Sequence, residues 1–95
     1  YCIYGKCMEI TFDPNKNKLN IEKHGFSLAD AQLLEWDTLW ATEDLRGNYQ
    51  ETRIIGYAYI ELRLMNVIYT DRGDIRRVIS LRKANKREVK KYANA

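Results

Sequence analysis

Three runs rich in β-branched and aromatic residues follow one another between Thr52 and Arg82, and they constrain the fold more than any other feature of the chain. Thr52 to Tyr59, Leu62 to Thr70 and Ile75 to Arg82 are each of strand length, and the turn residues Asp71-Arg72-Gly73-Asp74 separate the last two. Short connections between successive strands favour an antiparallel meander. A chain of 95 residues has material for one hydrophobic core, so every other element must pack on that sheet. The 31% of charged residues and the single proline exclude a disordered or fibrous chain. No apolar run approaches the roughly 18 residues of a membrane span, so no membrane partner is expected.

The segments before the meander carry helix signals. Met8 to Phe12 alternates weakly and reads as a first strand. Asp13-Pro14 supplies an N-cap followed by proline at the first helical position, and Gly25 a left-handed stop, which predicts a helix over Pro14 to His24. Ser27 with Asp30 resembles a second cap, and Ala29, Leu33 and Trp36 fall at i, i+4 and i+7. That spacing predicts a second helix over Ser27 to Trp36 and hence an αα-hairpin. Asp37 to Asn48 reads as irregular or a short strand, with Thr38 to Thr42 extended and Arg46-Gly47-Asn48 as a turn. Lys83 to Ala93 is expected to be a basic helix with Ala84, Glu88 and Tyr92 on one face.

The expected architecture is therefore α+β: an N-terminal strand and helical hairpin packed on an antiparallel β-sheet, followed by a C-terminal basic helix. Residues 8–95 are expected to form one domain, with residues 1–7 an N-terminal extension or remnant outside it. Cys2 and Cys7 can form a local disulfide, but no other Cys or His is spaced to complete a zinc site, so no metal or other cofactor is expected. With no secretory signal and no further cysteine, a cytoplasmic location is the default.

Charge is concentrated at the C-terminal end. Tyr69 to Tyr92 holds nine of the 16 Lys and Arg residues, opposed by Asp71, Asp74 and Glu88, so the net charge of +3 hides a polarised molecule suited to phosphate. With a four-residue turn from Asp71 to Asp74, Thr70 pairs with Ile75. One face of the hairpin then carries Tyr69 opposite Arg76, Met65 opposite Ser80 and Arg63 opposite Arg82. That face offers guanidinium clamps, a hydroxyl and a stacking ring, a combination suited to single-stranded RNA. The opposite side, with Ile68 against Arg77, Asn66 against Ile79 and Leu64 against Leu81, is expected to bed the helices.

Several motifs occur in a fixed order from Phe12 to Tyr92: F-D-P at Phe12, K-H-G-F-S at Lys23 to Ser27, E-x-R-x-x-G at Glu51 to Gly56, V-I-Y-T-D-R-G at Val67 to Gly73, and I-S-L-R-K-A at Ile79 to Ala84, then Glu88 and Tyr92. In this combination the chain resembles the BrnT family of type II toxins. The resemblance implies a RelE-like fold and a ribonuclease that inhibits translation. It also implies a BrnA-like antitoxin partner, through which the complex binds operator DNA. The chain departs from the family in the residues before Met8 and at Ala58 to Leu62, where the family often has a glycine-rich turn.

Metal-independent RNA cleavage needs a base for the 2′-hydroxyl, an acid for the leaving 5′-oxygen and cations for the phosphorane. Tyr69, Arg76 and Arg82 are the candidates for phosphate binding and transition-state stabilisation. His24, Lys23 and Glu88 are the candidates for proton transfer or charge stabilisation. His24 and Lys23 otherwise only finish a helix, and Glu88 otherwise only pairs with cations. Arg53, Arg63, Arg72, Ser80, Lys83 and Lys86 are expected to contact RNA. Scattered carboxylates speak against a metal nuclease. The competing readings are a non-catalytic RNA- or DNA-binding module and a purely protein-binding surface.

Overall fold

Five strands make one sheet in the order β3-β7-β6-β5-β4, where β3 is Glu9–Thr11, β4 Trp40–Glu43, β5 Ile54–Ile60, β6 Arg63–Arg72 and β7 Ile75–Lys83. The computed structural model describes residues 2–3, 6–7, 9–45 and 51–93. The expected Arg46-Gly47-Asn48 turn and the Met8 end of the first strand lie outside the described residues. The meander β5-β6-β7 is antiparallel as expected, but β3 joins β7 in parallel, so the sheet is mixed. Near the N-terminus, β1 (Cys2–Ile3) pairs with β2 (Lys6–Cys7) in a separate two-stranded ribbon.

Helix α1 spans Pro14–His24. Asp13 caps it by accepting from the Asn15 N–H at 2.8 Å, and Gly25 ends it at φ 80° with its N–H on Ile21 O. Its one buried residue is polar, for a reason that lies in the sheet. β3 pairs with β7 only over Ile75 to Arg77, which leaves the outer edge of β7 beyond that point without a strand among the described residues. Asn20 fills the gap. Its Nδ2 donates to Leu81 O at 2.8 Å and its Oδ1 accepts from Leu81 N–H at 3.2 Å, as a neighbouring peptide would. Leaving those two buried backbone groups unpaired would cost about 1–3 kcal/mol each.

The second helix expected over Ser27 to Trp36 does not form as an α-helix. Leu28–Leu33 is a 3₁₀ helix, followed by a 3₁₀ turn at Trp36–Thr38, so there is no αα-hairpin. With three residues per turn, Leu28, Ala31 and Leu34 align and are buried, whereas Leu33 is 63% exposed. The Ser27 cap is real, since its Oγ accepts from Ala29 N–H, but Asn17 Oδ1 also takes the Leu28 N–H at 2.7 Å. At the far end the Glu35 N–H donates to Tyr59 O, tying the segment to β5 and stopping the helix from lengthening.

The core lies between these 3₁₀ turns and one face of the sheet: Leu28, Ala31, Leu34 and Trp36 pack on Ala58, Met65, Val67, Tyr69, Val78 and Leu81. Gly56 in the E-x-R-x-x-G motif belongs to this packing, because a Cβ there would sit 2.6 Å from Leu39 Cδ1. The β5–β6 connection at Ala58 to Leu62 needs no glycine-rich turn. β5 continues through Ile60, and Glu61 takes φ 56° in a two-residue turn that leaves Leu62 97% exposed. The last described element is helix α2, Lys86–Ala93, in which no residue is buried.

Candidate nucleic-acid interface

The β6–β7 hairpin differs from its sequence-based register in two ways. The turn is two residues, Gly73-Asp74 with Gly73 at φ 60°, so Arg72 rather than Thr70 stands opposite Ile75. A β-bulge then breaks the register between Ile68 and Tyr69, where Tyr69 pairs with Val78 but Ile68 with Ser80. A one-residue offset turns every later side chain to the other face. Ser80 and Arg82 therefore leave the face of Tyr69 and Arg76, and the expected Arg63–Arg82 pair does not exist. Arg82 stands beside Asn66 instead, in a row Trp40, Tyr57, Asn66, Arg82 that crosses four strands.

On that row the side chains converge on one carboxylate. Arg82 Nη1 donates to Glu88 Oε1 at 2.7 Å and Arg82 Nη2 to Glu88 Oε2 at 2.8 Å. The Tyr57 hydroxyl donates to the same Oε2 at 2.8 Å, and the Asn85 N–H to Oε1 at 2.9 Å. Four donors on two oxygens make a built anion site of the fork type that arginine favours. Asn85 Oδ1 in turn accepts the Glu88 N–H, completing a capping box that starts α2. Arg82's hydrogen bonds, outweighing the cost of burial, hold the Glu88 carboxyl down at about 2. Its contribution to stability is thus fully present above the ordinary value of 4.5 and is lost as pH falls toward about 2. Burial and then Glu88 push the Tyr57 hydroxyl up, keeping it protonated. Asn66, 2% exposed, hydrogen-bonds Tyr57, while its buried Oδ1 has no partner.

Between α1 and β7 lies a cleft of about 230 Å³, lined by Lys16, Leu19, Asn20, Lys23, His24, Ile79 and Ser80. Helical spacing brings Lys16, Asn20, Lys23 and His24 to one side of α1, and the bulge brings Ile79 and Ser80 to meet them. Partial burial, followed by the charges of Lys23 and Arg82, lowers the His24 pKa and favours the neutral imidazole. Lys23, His24 and Ser80 thus share this cleft, Arg82 lies close enough to help lower the His24 pKa, and Glu88 holds the Arg82 guanidinium.

Further along the same sheet face, Arg77 stands opposite Thr70 and bridges Asp13 at 3.7 Å, and Arg72 holds Glu51 Oε2 through Nε and Nη2 at 3.1 and 2.8 Å. The Arg72 hydrogen bonds lower the Glu51 pKa, with smaller contributions from the charges of Arg53 and Arg77. Lys83 and Lys86 are exposed at the ends of β7 and α2. Arg63 lies apart, at the β5–β6 turn with Phe26, Ile60, Leu62 and Met65.

Arg76 and Tyr69 belong to the opposite face. The Arg76 guanidinium stacks 4.2 Å from the Tyr69 ring centroid and 4.7 Å from that of Trp36, and Asp71 grips it at 2.7 and 2.9 Å. Burial pushes the Tyr69 hydroxyl up. Pattern reading missed Tyr57, Asn66 and Arg77 as partners of Arg82's face. The available signal was Asn66, a polar residue inside the apolar run from Leu64 to Tyr69. Among the described residues no group of three His, Cys, Asp or Glu side chains is placed to hold a metal ion, and no helix is long and apolar enough to cross a membrane.

Residues 12–88 match a family model described as ribonuclease toxin, BrnT, of type II toxin-antitoxin system. Among solved structures, the chain is similar to the Brucella abortus ribonuclease toxin BrnT, seen in a 1.1 Å crystal structure, at 26% identity and a TM-score of 0.61. That similarity covers 83% of this chain and 99% of the Brucella one. No curated protein matches.

Proposed function

The chain belongs to the BrnT family of ribonuclease toxins of type II toxin–antitoxin systems, and from that premise we propose that it cleaves RNA without metal at the Arg82 face. The convergence of four donors on one pair of oxygens beside Arg82 carries this reading, because a phosphodiester presents two non-bridging oxygens in the same way. In this scheme neutral His24 takes the proton from the 2′-hydroxyl and the 2′-oxygen attacks phosphorus. The bond to the 5′-oxygen breaks, leaving a 2′,3′-cyclic phosphate, and the Tyr57 hydroxyl supplies the proton to the departing oxygen. Arg82 bears the charge on the phosphorane, with Lys23 and Ser80 alongside. Arg53, Arg72 and Arg77 extend the positive track, Lys83 and Lys86 add long-range attraction, and Arg63 contributes from a distance only. Glu88, held near pKa 2, is too weak a base for the 2′-hydroxyl, and Arg76 and Tyr69 serve the fold.

The same reading includes a RelE-like toxin that acts in the cytoplasm and arrests translation. A BrnA-like antitoxin neutralises it and carries the complex to operator DNA. Residues 1–7 stand outside the toxin domain. The His24 assignment is tested by a pH–rate profile. A lowered pKa means that the acidic limb of the wild-type profile rises and levels off below the ordinary 6.5. In His24→Gln the rate falls by about 10²-fold or more and that limb disappears. A profile unchanged by the substitution would remove His24 from the chemistry. Its effect on stability has the matching sign: the unfolded chain binds the proton more readily, so stability rises with pH from the lowered value up to 6.5.

A further inference from the structure

We propose that Glu88 is an intramolecular stand-in for the substrate phosphate, and that α2 is a displaceable cover which RNA must lift to reach Arg82, Tyr57 and Asn66. The proposal rests on the Arg82 face being the RNA site. Its first support is occupancy: both terminal nitrogens of the Arg82 fork and the Tyr57 hydroxyl are spent on the Glu88 carboxylate, so a phosphate cannot use them while Glu88 stays. Its second is how lightly α2 is attached. None of its residues is buried. Beyond Glu88 it is held through Tyr92, edge-on to Trp40 and Tyr59 at 6.4 and 5.9 Å, with Lys91 lying 5.9 Å from the Trp40 ring centroid.

The third support is independent of both. Asn66 Oδ1 is a buried acceptor without a donor, directly between Tyr57 and Arg82 in the cross-strand row. Such a group ordinarily has a partner. A base N–H of a bound strand, such as uracil N3–H, would supply one once Glu88 has moved, and a carboxylate cannot, because it brings no hydrogen. In the closed state the two glutamates, Glu88 on Arg82 and Glu51 on Arg72, cover opposite ends of the arginine track. Single-stranded RNA therefore exchanges one set of charge-assisted bonds for another, and the cover lowers affinity for weaker anions without blocking a longer strand.

The test is binding of a short 2′-O-methyl oligouridine, which cannot be cut, to the full chain, with cleavage of unmodified RNA followed in parallel. Glu88→Gln keeps the capping box, which accepts Gln, and removes the charge that holds Arg82. We expect it to bind about tenfold more tightly, equivalent to about 1.4 kcal/mol. Tyr92→Ala, which loosens α2 without touching Arg82, should tighten binding in the same direction, and Glu88→Gln should gain nothing when Arg82→Ala is also present. Binding unchanged or weakened in both folded single variants would overturn the cover. RNA cut by the wild type without such tightening would leave the ribonuclease reading standing and remove the cover. Tightening without cleavage in any variant would do the reverse.

Discussion

Arg82→Ala should reduce RNA cleavage by about 10²–10³-fold and abolish growth arrest, with the fold intact. The size follows from removing a preorganised donor pair aimed at the charge that develops on phosphorus. The Arg82 and Glu88 side chains are partly buried, 31% and 16% exposed, and losing their charge-assisted bonds should cost about 1.5–3 kcal/mol; a domain holding about 5–15 kcal/mol survives that loss, with the Tyr57 hydroxyl and the Asn85 N–H still on Glu88. Initial rates on an RNA oligonucleotide and a thermal melt of the same protein separate the two quantities. Arg82→Lys should recover only part of the rate, because an ammonium keeps the charge and loses the fork. An Arg82→Ala protein that cleaves normally would remove Arg82 from the site.

Trp36→Ala should act in the opposite manner, destroying stability before chemistry is in question. Trp36 is 4% exposed, its indole N–H donates to Ala31 O at 2.9 Å, and its ring meets Tyr69 edge-on at 5.5 Å beneath the Arg76 guanidinium. Deleting a buried tryptophan costs about 3–5 kcal/mol. Domains of this size hold about 5–15 kcal/mol in all, and each kcal/mol shifts the midpoint by about 4–8 °C. We expect a melting temperature lower by about 15 °C or more. A shift of only a few degrees would mean that the Trp36-Arg76-Tyr69 stack does not anchor the core.

These two outcomes follow from the bulge between Ile68 and Tyr69, which is also where the reading of the sequence and the structure part. Signals held within a few residues were legible: Asp13-Pro14 and Gly25 bound α1, and Gly73 marks the hairpin turn. The motifs from Phe12 to Tyr92 point to the family that the family match establishes. The face on which each arginine lies was not legible, because it depends on turn length and on one extra residue in β7, and both are settled by packing across the sheet. Ser80 and Arg82 were grouped with Tyr69 and Arg76 by alternation alone, and the bulge separates them. The 3₁₀ segment fails for a related reason. Ala29, Leu33 and Trp36 suit an α-helix, but Leu28, Ala31 and Leu34 suit a tighter one, and contact with the sheet chooses between two apolar stripes that local propensity leaves nearly equal. Tyr57, Asn66 and Glu88 meet only through three-dimensional register, which sequence spacing does not encode.

The most direct test of the ribonuclease assignment is to incubate purified protein with RNA in EDTA and identify the chemical ends of the products. Cleavage that persists in the chelator and leaves 2′,3′-cyclic phosphate and 5′-hydroxyl ends is the expected result, since it requires only the proton transfers and cationic stabilisation available around Arg82. Cleavage abolished by EDTA, or products ending in 3′-hydroxyl and 5′-phosphate, would contradict the metal-free mechanism at this face.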